Sequence, residues 1–130
     1  MLQTLAIDKP DIIISDADHA RLSRLAEGLL GRLPEVAAEL LAEVERAKVV
    51  APDALPRNVV AMGSSVEFAT DDGQTRRVTL VYPGQADIAK DQISILTPIG
   101  AALIGLSEGQ SITWKTRDGR TCALRVLRVA

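Results

Sequence analysis

Two different spacings of hydrophobic residues divide the chain. Between about residues 16 and 48, apolar side chains recur at intervals of three and four, which places them on one face of an α-helix. These positions are Leu22, Leu25, Leu29, Val36, Leu40, Val44 and Ala47. Gly31 favours the end of a first helix and Pro34 the first turn of a second, with Ser15 as the N-terminal cap. The pattern predicts two short antiparallel helices, preceded by an extended run at residues 12–14.

After a proline-containing linker at residues 51–56, the spacing changes to alternate positions, as in a β-strand with one buried face. Val66 and Phe68 belong to one such run, and Leu80 and Tyr82 belong to the next. Between the two runs stands the turn sequence Asp-Asp-Gly, which favours a reversal of the chain. The two runs therefore predict a β-hairpin.

A short strand and a capped helix follow this hairpin. Ile93 and Ile95 alternate with polar or exposed positions and indicate the strand. Thr97 is a suitable N-cap, and Pro98 suits the first turn of a helix because its missing N–H is not needed there. Gly105 favours the end of that helix.

The chain finishes with a second alternating pattern, which predicts another hairpin with Arg117 in its turn and Cys122 packed in the core. The fold class we predict is α+β. Residues 1–50 form a short antiparallel helical hairpin, or coiled coil, and residues 57–130 form a mostly antiparallel sheet with one short helix.

Composition excludes several functions. The 130 residues carry a net charge of -2, with a pI of about 5.4, which argues against a protein that grips duplex nucleic acid through its phosphates. One Cys and one His argue against a disulfide framework, a metal centre or a His-dependent triad. Neither a signal peptide nor a membrane-spanning run is evident, so we expect a cytoplasmic protein. We predict no enzyme activity, no metal and no cofactor.

The segment around the start of the predicted short helix is open to two interpretations. Its glycines do not have the spacing of a dinucleotide-binding motif, and no Gly-Lys-Ser/Thr phosphate loop follows. One interpretation is a strand that enters a capped helix, with small residues for close packing. The other is a partner-binding lip, because apolar surface at a strand end can stay exposed. The candidate binding residues are Leu96, Thr97, Pro98 and Ile99.

The tip of the helical hairpin is the second candidate contact region. Its residues are Glu27, Leu29, Arg32, Leu33 and Glu35. Two carboxylates at a hairpin tip can hold a magnesium ion. Glu27 and Glu35 are eight residues apart, however, and have no acidic neighbours there. We therefore expect both to be solvated surface groups.

Several runs resemble the Gre family of bacterial transcript cleavage factors, whose C-terminal domain is similar to FK506-binding proteins. The matching runs are VVAMGSSV at residues 59–66, LVYP at 80–83, ISILTPIGAALIG at 93–105 and ITW at 112–114. Within that superfamily, Lys9-Pro10, the three isoleucines that follow and the PIGAAL run most resemble the Rnk branch, the regulators of nucleoside diphosphate kinase. The resemblance covers nearly the whole chain.

The resemblance implies a protein that docks on RNA polymerase. The sheet domain would hold the rim of the secondary channel, and the helical hairpin would point into it. The polymerase contact of Gre factors corresponds here to Leu96, Thr97 and Pro98. Cleavage factors carry an acidic residue two positions before this proline, where this chain has Leu96, so the contact chemistry must differ. No sequence-specific nucleic-acid contact and no membrane contact are implied.

Hairpin length separates the branches of this superfamily. About fifteen residues per helix give a reach of roughly 23 Å, about half that of Gre factors, and residues 29–33 lack their adjacent acids. We therefore predict polymerase binding without stimulation of transcript cleavage, in competition with longer factors. The alternatives are direct regulation of nucleoside diphosphate kinase, in place of an indirect effect through transcription, and a peptidyl-prolyl isomerase-like binding module.

Overall fold

The computed structural model describes residues 9–115 and 118–130. The extreme N-terminus, on which the expected absence of a signal peptide partly rests, lies outside these ranges. The predicted turn residue Arg117 does too.

The helical half forms the two predicted helices, α1 (Asp16–Leu29) and α2 (Pro34–Arg46). The Ser15 hydroxyl accepts a hydrogen bond from the Asp18 backbone N–H at 3.2 Å, so Ser15 caps α1 as its residue type predicts. Pro34 occupies the first turn of α2. Buried side chains follow the helical repeat on the facing surfaces of the pair, at Leu22, Ala26, Leu29, Ala37, Leu40 and Val44.

A small parallel sheet closes the base of the hairpin. It pairs β1 (Ile13–Ser15) with β2 (Lys48–Val50). The sequence pattern did not predict β2, because three residues are too few to establish alternation and two of them are exposed. On its other side, β1 is hydrogen-bonded to Gly105: the Gly105 carbonyl accepts a hydrogen bond from the Ile13 N–H at 3.1 Å. Gly105 has φ +80, and a Cβ there would lie 2.8 Å from the Ile12 Cβ, so only glycine fits.

The second half is built on a five-stranded sheet with the order β5-β4-β3-β7-β6. Its strands are β3 (Ser65–Thr70), β4 (Thr75–Val81), β5 (Gln92–Ser94), β6 (Ser111–Lys115) and β7 (Thr121–Val129). Both predicted hairpins are confirmed. The sheet is mostly antiparallel, as predicted, and the exception is one edge, where β5 pairs with β4 in parallel. The connection at residues 82–91 is far longer than a hairpin turn, so the chain returns to the level of Thr79 before β5 begins.

One hydrophobic core joins the sheet to the helices. The inner face of the sheet contributes fully buried side chains such as Phe68 and Leu80, which meet α3 (Pro98–Leu103) and the segment after it. Leu22 and Leu40 of the helical hairpin belong to the same buried cluster. Complete burial of each such side chain stabilises the fold by about 1.5–3 kcal/mol. Within residues 9–115 and 118–130, no helix has both the length and the apolar character needed to cross a membrane.

Candidate partner-binding site

The four candidate binding residues form a short, well-ordered lip where β5 ends and α3 begins. We call residues 96–99 the lip. The Thr97 hydroxyl accepts from the Gly100 N–H at 3.0 Å and donates to the Ser94 carbonyl at 2.8 Å. The Ser94 hydroxyl accepts from the Leu96 N–H at 3.0 Å. This network confirms the predicted cap and holds all four side chains in half-buried positions.

Gly100 allows the lip to fold back on the end of β5. A Cβ at this position would lie 2.3 Å from the Ser94 carbonyl oxygen and 3.0 Å from the Ile95 Cα. Both neighbours are backbone atoms, which cannot move aside cheaply. The glycine therefore sets the close approach of α3 to the sheet that gives the lip its shape.

A groove of about 500 Å³ runs beside the lip. Its lining includes Thr97, Pro98 and Ile99 from the lip, together with Ile93 and other side chains from β5, β6, β7 and the residue 82–91 connection. Apolar side chains make up most of this surface, as is common for sites that bind a partner side chain or a small molecule. The lip thus forms one border of a concave apolar surface.

Two groove residues were missed by the sequence interpretation. Cys122 was predicted to lie in the core, but it is half-buried and lines the groove, because β7 lies next to the edge strand β6. Trp114 lines the same groove, and its indole Nε1–H is buried with no hydrogen-bond partner among the described residues. Their alternation placed them on the inner face of the sheet, but it could not show that α3 leaves this end of the face uncovered.

Positive charge lies at the border of the groove. Arg76 stands over the Phe68 ring, with its guanidinium carbon 5.9 Å from the ring centroid. Arg120 pairs with Asp118 at 3.1 Å in an exposed position. Ile88 is 88% exposed on the connection that forms one wall. Asp91 lines the same groove, so its apolar surface is bordered by charged groups of both signs.

The hairpin-tip candidates do not form a comparable site. Leu29 is buried against α2, whereas Glu27, Arg32, Leu33 and Glu35 are exposed. Among the residues that the structure describes, no group of three or more His, Cys, Asp or Glu side chains is arranged to hold a metal ion. The tip thus exposes apolar surface at Leu33 together with one basic and two acidic side chains.

The base of the hairpin is joined to the sheet domain by polar contacts. The Asp18 carboxylate accepts from the Met62 N–H at 3.2 Å, and the Arg21 guanidinium lies 4.5 Å from the Tyr82 ring centroid. Burial raises the pKa of the Tyr82 hydroxyl above its ordinary value of 10.0, and the Asp18 carboxylate raises this pKa further, whereas Arg21 lowers it. These contacts fix the orientation of α1 relative to the sheet domain.

A buried carboxylate strengthens the same junction on α2. Glu43 is 4% exposed, and its two oxygens pair with Lys9 at 3.0 Å and with Arg46 at 2.8 Å. Arg46 also donates to the Pro10 carbonyl. A glutamate is rarely buried to this extent unless it is paired. The three charged groups therefore tie the segment before β1 to the end of α2.

Comparison with known proteins matches two family models to two parts of the chain. Residues 55–130 match the family model for the C-terminal part of the transcription elongation factors GreA/GreB, and residues 10–50 match the model for the Rnk N-terminus. The solved structure of a prokaryotic transcription elongation factor GreA/GreB from Nitrosomonas europaea superposes with a TM-score of 0.73 at 38% identity. That match covers 92% of this chain and 99% of the other.

Named relatives fall into two groups. The regulator of nucleoside diphosphate kinase from Escherichia coli is 39% identical over 124 residues, which cover 95% of this chain and 91% of that protein. The transcription elongation factor GreA from Thermodesulfovibrio yellowstonii is 34% identical over 120 residues, or 85% of this chain and 76% of that protein. The fold and these relatives define a protein of the GreA/GreB superfamily. Within it, the chain belongs to the Rnk family, as its motifs predicted. These relatives are named as regulators and transcription factors and not as enzymes.

Proposed function

We propose that the protein is a cytoplasmic transcription regulator that binds RNA polymerase at the rim of the secondary channel. The lip and its groove make the contact, and the helical hairpin points into the channel. The observation that carries this proposal is the lip itself. Side-chain hydrogen bonds hold its four consecutive residues between β5 and α3, and three of them, Thr97, Pro98 and Ile99, line an apolar groove. The GreA/GreB identity of this part of the chain supports the choice of partner.

We also propose that the protein binds polymerase without stimulating transcript cleavage and competes with longer-armed factors. The 14 residues of α1 span about 21 Å at 1.5 Å per residue. The tip lacks a cluster of carboxylates among the described residues, so it has no evident means of bringing magnesium to an active centre. Three features of the fold remain predictions. They are the division into units at residues 1–50 and 57–130, the coiled-coil packing of the hairpin, and the likeness of the sheet domain to FK506-binding proteins.

Co-purification with core RNA polymerase, free of nucleic acid, tests the docking proposal. Leu96→Asp should weaken binding at least about tenfold, because a charge would face an apolar contact, and Pro98→Ala should weaken it by a smaller factor. Leu127→Asp is the matched control, since Leu127 is 44% exposed on β7 and outside the lip. Equal affinity for the Leu96 variant and the wild type, with both folded, would remove the lip from the interface.

Stalled elongation complexes test the second part. With magnesium present, the purified protein should leave the transcript intact and should reduce the cleavage that an added Gre factor stimulates. Restored cleavage by the protein alone would contradict the proposal, and so would unchanged cleavage in the mixture.

A direct action on nucleoside diphosphate kinase is the second candidate function, because the 39% identical relatives carry that name. A binding measurement against the purified kinase and against polymerase separates the two. Binding to polymerase alone would make any effect on the kinase indirect. Binding to the kinase alone would favour direct regulation of the kinase.

A further inference from the structure

The sheet has a second face, which no described helix covers. Val66, Phe68, Val78, Leu80, Leu124 and Val126 are buried on the inner face. Successive side chains of a strand point to opposite faces, so the residues between them lie on the other side. We call this surface the outer face and define it by Glu67, Ala69, Arg77, Thr79, Arg125 and Arg128. The strand register supports the grouping, because Glu67 is opposite both Arg77 and Arg128, and Ala69 is opposite Arg125. The β3–β7 register shifts at Glu67/Phe68, which leaves Leu127, 44% exposed, without a register partner between Arg125 and Arg128.

Strand pairing brings together arginines that are distant in sequence. Arg77 on β4 and Arg128 on β7 flank β3 from its two sides, so their Cα atoms are about 10 Å apart across two strand spacings. Arg125 lies about 7 Å further along, two register positions from Glu67. All three arginines are exposed. The sequence pattern grouped only Arg125 and Arg128, because nothing in it indicates that β3 places Arg77 beside them.

These three guanidinium groups have no counterion in the described part of the chain. None of them takes part in a hydrogen bond, an ion pair or a ring contact there, even though Glu67 is their cross-strand neighbour. Three arginines and one glutamate give the outer face a local charge of +2, although the whole chain has a net charge of -2. Their mutual repulsion acts within one Debye length, about 8–10 Å at ordinary salt, so a bound anion would relieve it.

We propose that the outer face is a sequence-independent contact for the phosphodiester backbone of nucleic acid. An acidic polypeptide is the other anionic partner to consider, because arginine clusters also recognise acidic motifs; a bound peptide would in addition use a free sheet edge or pockets for its side chains. At the centre of this face the neighbours of the arginines are Ala69 and Thr79. The nearby cleft of about 270 Å³ is lined by charged and small residues, among them Glu67, Arg77 and Arg128. The surface therefore suits a charged backbone better than a peptide.

The same surface indicates how the nucleic acid would be held. Proteins that stack bases use aromatic side chains, and the outer face has none, since Phe68 points into the core and Trp114 lines the groove. Contact would be made with phosphates alone. Three phosphate contacts give weak binding with a steep dependence on salt and no base preference. The proposal is independent of the lip, because the groove beside the lip and the cleft on the outer face share no lining residue.

Fluorescence anisotropy with the purified full chain tests the proposal, using labelled duplex DNA and single-stranded RNA without polymerase. Three phosphate contacts predict slopes of about -2.7 for the duplex and about -2.1 for the single strand in a plot of log K against log salt. Raising the salt from about 25 to 100 mM should weaken duplex binding about 40-fold and single-strand binding about 20-fold.

Matched variants locate the contact. Replacement of Arg77, Arg125 and Arg128 by Gln should reduce affinity at least about tenfold at low salt and bring the slope close to zero. The control replaces Arg24, Arg57 and Lys90 by Gln, because these exposed groups lie away from the face and the change in charge is the same. Glu67→Gln should tighten binding about twofold to threefold by removing the one carboxylate of the face. Circular dichroism confirms that each variant folds.

Three results would overturn the proposal. The first is the absence of binding by the wild type at low salt, and the second is an equal loss of affinity in the two triple variants. The third is stronger binding of a polyglutamate peptide than of nucleic acid of equal charge, which would assign the face to an acidic polypeptide. Because polymerase is absent from the assay, failure here leaves the docking proposal to its own experiment.

Discussion

The base of the helical hairpin is tied to the sheet domain by charged groups and by core side chains, whereas its tip exposes leucines. By base we mean Asp18, Arg21 and Leu22, which contact the sheet domain or the core, together with Glu43, which ties the segment before β1 to the end of α2. By tip we mean the turn between α1 and α2, where Leu30 and Leu33 are 48% and 45% exposed. The base therefore sets the direction of the hairpin, whereas the exposed leucines of the tip are available to contact a partner.

The largest contrast between base and tip should appear in core leucines. Leu22 is fully buried, so Leu22→Ala should lower the free energy of unfolding by about 3 kcal/mol, from lost burial and the cavity that remains. Leu30→Ala at the tip should change it by no more than about 0.5 kcal/mol. Urea unfolding at neutral pH measures both. Similar values for the two variants would mean that the tip is as firmly packed as the base.

Glu43 should have the next largest effect. Glu43→Gln removes the charge that pairs with Lys9 and Arg46, and we expect a loss of about 2 kcal/mol, less than for a fully buried pair because both cations are partly exposed. The tip control is Glu35→Gln, which is exposed and should alter stability by less than about 0.5 kcal/mol. Chemical denaturation compares the two. If Glu43→Gln is neutral, the ion pairs do not hold the base together.

The smallest effect concerns Tyr82, the single tyrosine of the chain, so that ultraviolet tyrosinate absorbance reports on it alone. Its titration midpoint should lie above pH 10.0. Asp18→Asn should lower the midpoint and Arg21→Gln should raise it, because the first removes a negative and the second a positive neighbour. Arg24→Gln, one helical turn from Arg21, should leave it unchanged. An ordinary midpoint in the wild type would mean that the base is open to water.

The same shift predicts how stability depends on pH. The folded-state pKa of Tyr82 is above the unfolded value, so folding favours the neutral hydroxyl. The stability that this provides is complete below pH 10.0 and is lost as the pH rises through the folded-state pKa. Tyr82→Phe should show a shallower decline in stability above pH 10.0 than the wild type. Parallel curves for the two proteins would contradict this origin of the decline.

Local signals in the sequence were sufficient for the caps and hairpins. Ser15, Pro34 and the Thr97-Pro98 pair mark helix starts with their own side chains, so the boundaries follow from short-range chemistry. Strand direction and the three-residue pairing of β1 with β2 depend on where distant segments meet, which no local pattern specifies. Hence the parallel pairing of β5 and the existence of β2 were both missed.

The candidate site shows the same limit. The lip residues adjoin one another in sequence and could be proposed from it, but the groove beside them gathers side chains from four strands and a connection. The position of Glu43 in the sequence does indicate a buried, paired carboxylate. It stands three residues after Leu40 and directly before Val44, at the border of the apolar stripe of α2, where a charged side chain needs a partner to be buried. Its partner Lys9 is 34 residues away and could not be identified by spacing.

The parallel pairing of β1 and β2 has a consequence for how such proteins can diversify. Because Lys48, the first residue of β2 after α2, is the register partner of Ile13 in the strand that leads into α1, the chain leaves the helical excursion beside the strand through which it enters. Whole helical turns inserted in equal number into both helices would extend the excursion outward and leave these two attachment points where they are. The small sheet thus keeps the attachment points constant, so helical hairpins of different length can be joined to the same sheet domain without other changes to that domain.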